Sequence, residues 1–224
     1  MNATLITAVA SFAAAGFGSY FAFLLQNRKE QRNELNQQRK AVNRAIFNLS
    51  HLWNAQNQYY KEVILPDKNS PALWLRMQAN ISTQFLNISF DIDGLFFLAD
   101  TDHAQFLSRF YLEEQRFEVV KDLIQERSSV VLNQLYPKME HLGVRAGKAF
   151  ELQTVERELG PDLVGKLKTL TEEIVTNIEQ NIESTKLLNQ EFHEAMAGFF
   201  KKRTLFFFKR KYRILKLIYD EYGK

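Results

Sequence analysis

No charged residue occurs among the first 27 residues of this 224-residue chain, and that stretch limits the possible folds more than any other feature. Between residues 3 and 25 every side chain is apolar or small, apart from a few hydroxyls. A helix of this length, rising about 1.5 Å per residue, covers the hydrocarbon thickness of about 30 Å. The sequence therefore predicts a transmembrane anchor over residues 1–27. A cleaved signal peptide is one alternative, although the segment has no basic region before its apolar part. A buried core helix is the other, although 27 uncharged residues in a row are long for one.

The charges behind this segment are segregated along the chain. Residues 28–44 hold six basic and two acidic residues, which gives a net charge of +4. Residues 45–200 hold 14 basic and 22 acidic residues, a net −8, whereas residues 201–216 hold eight basic residues and no acid. Positive charge stays on the cytoplasmic side of a span. We therefore expect a single-pass protein with its N-terminus outside and residues 28–224 in the cytoplasm.

Small residues recur every four positions within the predicted span. Such spacing lets helix backbones approach closely, which is how membrane helices associate. It predicts self-association, although small residues are also common in spans for no such reason. The predicted packing face comprises Ala10, Ala14, Gly18 and Ala22.

The rest of the chain has the pattern of long helices. No Pro or Gly interrupts residues 19–65, and large apolar residues recur there at helical spacing. Further helical stripes are predicted after Ser70, after residue 100 and from Pro161 onward, with Pro137 kinking or ending the third helix. The predicted fold is all-α: a transmembrane helix that continues into an antiparallel helical bundle or coiled coil. Its predicted parts are an anchor at 1–27, a helical stalk at 28–65, a cytoplasmic bundle at 66–200 and a C-terminal helix at 201–224.

Residues 84–133 contain a series of short motifs: Phe90-Asp91, Leu95, Phe97-Leu98 and Asp102, followed by Glu114-Gln115-Arg116-Phe117 and Gln125-Glu126-Arg127-Ser128. In these motifs the chain resembles bacterial membrane proteins with a single N-terminal span and a helical cytoplasmic domain. The resemblance implies the architecture and a location in the bacterial inner membrane, and it implies no activity.

The sequence offers little for catalysis or metal binding. There is no cysteine, so thiolate zinc sites, disulfides and cysteine nucleophiles are excluded. The histidines stand in no HExxH or Glu-x-x-His spacing, and no glycine-rich phosphate loop or GxSxG occurs. Apolar residues follow Asp91-Ile92-Asp93-Gly94 where a calcium loop needs further ligands. We therefore predict no enzyme, no metal and no cofactor.

The C-terminal tail interleaves cations with Phe and Tyr. As a helix it has one aromatic face, which suits the headgroup boundary of a membrane. A plain bundle helix and a strand of nucleic acid bound by phosphate contacts and stacking are the alternatives. The predicted interfacial cations are Lys201, Lys202, Arg203, Lys209, Arg210, Lys211, Arg213 and Lys216.

Two functions fit these features. The first is a membrane-anchored scaffold that binds a protein partner or a second copy of itself on the cytoplasmic face of the inner membrane. The alternative is a toxin-like, membrane-perturbing effector of a bacterial antiviral system that oligomerises in the bilayer. A bilayer is a partner in both, and nucleic acid is a weaker expectation.

Overall fold

The computed structural model describes residues 3–80, 88–143, 151–203 and 214, with side chains from residue 11 to residue 201 within those ranges and at 214. The described residues form helices joined by turns and extended segments and contain no strand, which confirms the all-α prediction. The helices are α1 (Ala3–Tyr59), α2 (Leu73–Arg76), α3 (Ile92–Leu95), α4 (Gln105–Val130), α5 (Tyr136–His141), α6 (Leu152–Leu159) and α7 (Pro161–Arg203).

Helix α1 is 57 residues long and continues into a π-helical turn at Tyr60–Ile64. The helix is continuous because residues 19–65 contain neither Pro nor Gly, the two residues that most often interrupt a helix. The predicted stalk, residues 28–65, belongs to the bundle from Gln38 onward, because one face of α1 is buried there. The backbone of α1 is therefore unbroken, and its exposed N-terminal part differs from its bundle part only in that one face of the latter is buried.

Helix α7 packs antiparallel to both α1 and α4. The amide Nδ2 of Asn189 donates to Ser50 Oγ of α1 at 3.1 Å. Along α4, Arg127 contacts Thr171 and Glu113 contacts Thr185, so residue numbers rise in one helix as they fall in the other. Helices α1 and α4 are consequently parallel to each other, and the chain must return along the bundle between them.

The described residues of the returning segment, on either side of 81–87, are bound by side chains of the two parallel helices. Ser128 Oγ of α4 accepts from Asn80 N and donates to Asn80 O. Further along, Asn48 of α1 donates to Ser89 O, and Glu114 of α4 accepts from Phe90 N. These side chains satisfy backbone groups that no helix or sheet pairs. Residues 77–80 and 88–91, here called the strap, are therefore fastened to α4, and the second of these stretches is fastened to α1 as well.

Two apolar clusters form the core. The larger lies between α1, α4 and α7, and the smaller surrounds Trp74 and the N-terminal part of α7. The inner face predicted for the third long helix is confirmed: Phe110, Phe117, Val120, Ile124, Val131 and Leu135 are all buried. The apolar stripe predicted from Pro161 is confirmed: it lies on α7, which is 43 residues long, its members from Leu167 to Met196 are buried, and Phe199 is half-buried.

Two predicted boundaries were wrong. The helix expected after Ser70 has only four residues, because Met77 is extended, and Ser70 Oγ accepts from Ala72 N in a local turn. The helix expected from residues 100–102 begins at Gln105. Pro137 was expected to kink or end that helix; the regular α-helix stops at Val130, a π-helical turn follows at Val131–Leu135, and the proline lies in the first turn of α5.

Within the described part of the chain, no helix combines the length and apolar character that crossing a membrane requires. The predicted span of residues 1–27 therefore remains a hypothesis.

Candidate membrane-facing end of the bundle

One end of the bundle, here called the proximal end, is where α1 leaves the bundle and α7 ends. A Cβ at Gly94 of α3 would lie 3.2 Å from Ala41 Cβ of α1, so α3 packs directly on α1 there. The rings of Phe97 and Phe199, centred 5.8 Å apart, join the turn after α3 to the C-terminal part of α7. The contacts place the point where α1 leaves the bundle and the start of the basic tail at the same end.

Beyond the proximal end, α1 projects with its apolar side chains uncovered. The relative exposure is 82% for Phe12, 67% for Phe17 and 65% for Phe23. Tyr20, Phe21 and Leu25 are also exposed. From Ala3 to Glu34 the projecting part is about 48 Å long. Large apolar side chains grouped in this way differ from scattered surface residues and indicate a surface that meets an apolar partner.

The predicted packing face lies on this projecting part. Ala14 and Ala22 are exposed, and no atom lies within 4 Å of the position that a Cβ on Gly18 would take. Ala10 belongs to α1, and its side chain lies outside the described residues. Among the described residues, nothing packs against Ala14, Gly18 or Ala22.

Three of the eight predicted interfacial cations lie at the end of α7, and the other five lie outside the described residues. Lys201 is exposed at the end of α7, and Lys202 and Arg203 continue the helix with side chains outside the description. Lys209, Arg210, Lys211, Arg213 and Lys216 lie outside the described residues altogether. Of the tail beyond α7 the structure describes Ile214, which is half-buried and packs against the larger core cluster.

The opposite, distal end of the bundle contains a buried cation that sequence reasoning missed. Arg127 is 1% exposed. Its guanidinium donates to the carbonyl oxygens of Trp74 at 2.9 Å, Met77 at 2.6 Å and Gln78 at 3.4 Å. Its Nε donates to Thr171 Oγ1 at 3.0 Å. Arg127 therefore fastens the end of α2 and the start of the strap to α4 and α7.

Burial lowers the pKa of Arg127, and the nearby Tyr59 and Tyr136 hydroxyls oppose that change. Arg127 lies three residues after Ile124 and seven after Val120, on the face that faces the core. A positively charged residue at a core-facing position of the helical repeat was the sequence signal that could have revealed this buried Arg127.

The buried hydroxyl of Tyr59 allows a test of the distal end by pH. Burial raises the pKa of Tyr59 to about 12, and the charge of Arg127 offsets part of this effect. The folded-state pKa exceeds the unfolded value of about 10, so the contribution to stability is complete below pH 10 and is lost as the pH rises through 12. Between pH 9 and pH 12, we expect wild type to lose about 2–3 kcal/mol more than Tyr59→Phe.

Urea unfolding of the full chain in mild detergent measures this difference. Tyr111→Phe is the matched control, because the Tyr111 ring is 61% exposed. If Tyr59→Phe and wild type lose the same stability at high pH, Tyr59 does not have the raised pKa.

A cavity of about 480 Å³ opens beside Arg127, between the segment around α2 and α7. Trp74 and Thr171, which both accept from Arg127, line it. At its edge Lys68 pairs with Glu179 at 2.5 Å, which raises the pKa of Lys68, and Lys168 pairs with Glu156 at 2.8 Å. These carboxylates already neutralise the two lysines, so the cavity has no surplus charge for an anion.

Among the described residues, no cluster of three or more His, Asp or Glu side chains could hold a metal ion. The chain matches no family model, no curated protein and no solved structure. The comparisons therefore add no relative in support of the resemblance noted for residues 84–133.

Proposed function

We propose that this chain is a membrane-anchored helical interaction protein on the cytoplasmic face of a bacterial inner membrane. The projecting part of α1 holds the bundle at the bilayer, and the bundle presents helix faces to a protein partner or to a second copy. The N-terminus lies outside the cell and residues 28–224 lie inside.

The observation that carries this proposal is the row of uncovered apolar side chains on the projecting part of α1. In water, that much exposed aromatic and aliphatic surface is unfavourable by about 25 cal/mol for each Å². In a bilayer the same surface is solvated by lipid, and a helix satisfies its own backbone hydrogen bonds there. No segment of the described chain packs over this surface.

The distribution of charge supports the same orientation. The basic residues of 28–44 and of 201–203 lie toward the proximal end, where α1 leaves the bundle. Positively charged residues directly behind an apolar segment favour retention of the following domain on the cytoplasmic side.

Fractionation of bacteria that express the full chain tests the placement. We expect the protein in the membrane pellet, and we expect it to resist extraction by alkaline carbonate. Green fluorescent protein fused after Lys224 should fluoresce, and alkaline phosphatase at the same position should be inactive, because the C-terminus is cytoplasmic. A carbonate-soluble protein or an active phosphatase fusion would overturn the proposal.

Measuring the membrane potential of the same cells distinguishes the scaffold from the alternative function, a membrane-perturbing effector. A scaffold leaves a potential-sensitive dye unchanged after induction. Depolarisation that Gly18→Leu abolishes would instead support oligomerisation through the small-residue face. Gly18 has open space around it, so this substitution leaves the bundle intact.

A further inference from the structure

We propose that Arg28, Lys29 and Arg32 bind the headgroups of anionic phospholipids and that the later cations of α1 do not. The inference rests on the proposed membrane placement. It divides the basic run 28–44 into a lipid-binding part and a part that belongs to the bundle.

The continuity of α1 fixes the height of each cation above the apolar segment. The last exposed apolar residue of the projecting part is Leu25, and α1 continues from it without a break. Along the helix axis, Arg28 and Lys29 lie about 4 to 6 Å beyond Leu25, and Arg32 lies about 10 Å beyond it. The headgroup layer adds about 6 Å to each side of the hydrocarbon, so Arg28 and Lys29 lie within it and the long side chain of Arg32 can reach down to it. All three side chains are exposed.

The helical period also groups these cations on one side of α1. Arg28 and Arg32 are four residues apart and share a face, and Lys29 is next to that face. The acids lie on another side, where Gln26 donates to Glu30 at 3.0 Å and Gln38 donates to Glu34 at 3.0 Å. Counting Glu30, the headgroup interval carries a net charge of +2.

The later cations of the run are too distant and are positioned by the bundle. Arg39, Lys40 and Arg44 lie about 21 to 28 Å beyond Leu25 along the axis. The Debye length at physiological ionic strength is about 8 Å, so they are screened from the headgroups. Arg44 in addition pairs with Asp91 of the strap segment at 3.0 Å. Their function is therefore in the bundle.

Energy transfer in reconstituted vesicles measures lipid selection directly. The chain has no cysteine, so Asn27→Cys provides a single site for a donor dye in the full-length protein. Acceptors on the acyl chains of phosphatidylglycerol or of phosphatidylcholine leave the headgroups unaltered. Near a bilayer surface each net positive charge favours anionic lipid by about fivefold, so we expect a preference for phosphatidylglycerol of about 30-fold at low salt. The preference should fall toward one in 0.5 M NaCl.

Three matched variants separate headgroup binding from a structural role. The triple variant Arg28→Gln, Lys29→Gln, Arg32→Gln should lower the preference to one or below, because Glu30 remains. Glu30→Gln should raise the preference about fivefold. The triple variant Arg39→Gln, Lys40→Gln, Arg44→Gln should leave it within twofold of wild type.

The outcomes distinguish this inference from the proposed function. Equal transfer to both lipids in wild type, or an equal loss in the two triple variants, overturns the assignment of headgroup binding and leaves the anchor in place. Absence of transfer to either lipid means that α1 does not enter the bilayer, which overturns the proposed function as well. Binding of an oligonucleotide in preference to vesicles, lost in the first triple variant, would assign these cations to nucleic acid.

Discussion

Lysine at both Phe17 and Phe21 should release the protein from the membrane fraction. Both side chains are exposed in the middle of the projecting part of α1 and face no other segment of the described bundle. A lysine at the centre of a span costs about 2.5–3.5 kcal/mol on insertion and less toward its end, so the two together cost at most about 5–7 kcal/mol. We expect most of the double variant in the soluble fraction or lost to degradation, as measured by fractionation and immunoblotting of cells.

Phe47→Lys is the matched control for this prediction. Phe47 lies on the same helix and is 51% exposed, but it belongs to the bundle. We expect the control to stay in the membrane fraction at wild-type abundance. If the double variant with lysine at Phe17 and Phe21 also stayed in the membrane fraction, the projecting part of α1 would not be the anchor.

Replacement of Arg127 by Met should destabilise the bundle by about 3–5 kcal/mol. Met retains much of the volume and removes the donors, so the carbonyl oxygens of Trp74, Met77 and Gln78 lose their partner in a buried site. A buried acceptor without a partner costs about 1–3 kcal/mol. Urea unfolding of the full-length chain in mild detergent, followed by far-UV circular dichroism, measures the loss.

Arg76→Met provides the comparison, since Arg76 pairs with Asp67 at 2.7 Å and its side chain is 59% exposed. An exposed ion pair contributes about 1 kcal/mol or less. Arg127→Lys keeps the charge and loses the planar group that reaches several carbonyls, so its stability should fall between Arg127→Met and wild type. A loss below about 1 kcal/mol in Arg127→Met would show that the strap does not depend on this residue.

The long helices were predictable because their patterns are local. The stripe from Leu167 to Met196 repeats at helical spacing over many turns, and no Pro or Gly pair interrupts residues 19–65. Such a stripe needs an apolar partner, so burial of the same residues followed. The short helix α2 was predicted too long because the extended conformation of Met77 depends on Arg127, which is 50 residues away.

The candidate site was predictable only in part. The charge-free start and the two basic stretches are visible in the sequence, because charge and hydropathy belong to each residue. That the first basic stretch and Lys201–Arg203 lie toward one end of the bundle depends on the antiparallel packing of α7 on α1, which Ser50 and Asn189 help to align. The alignment of α7 on α1 is fixed by contacts between side chains that are far apart in the sequence, so no local sequence pattern predicts it.

Periodicity and charge act over a few residues, and they were sufficient to establish the helical class, the long helices and the apolar start followed by cations. Three features emerge only from packing: where α1 passes from bundle to projecting helix, which helices are parallel, and how a buried arginine holds the strap. Those features depend on which surfaces meet, and burial and hydrogen bonding between distant residues select them.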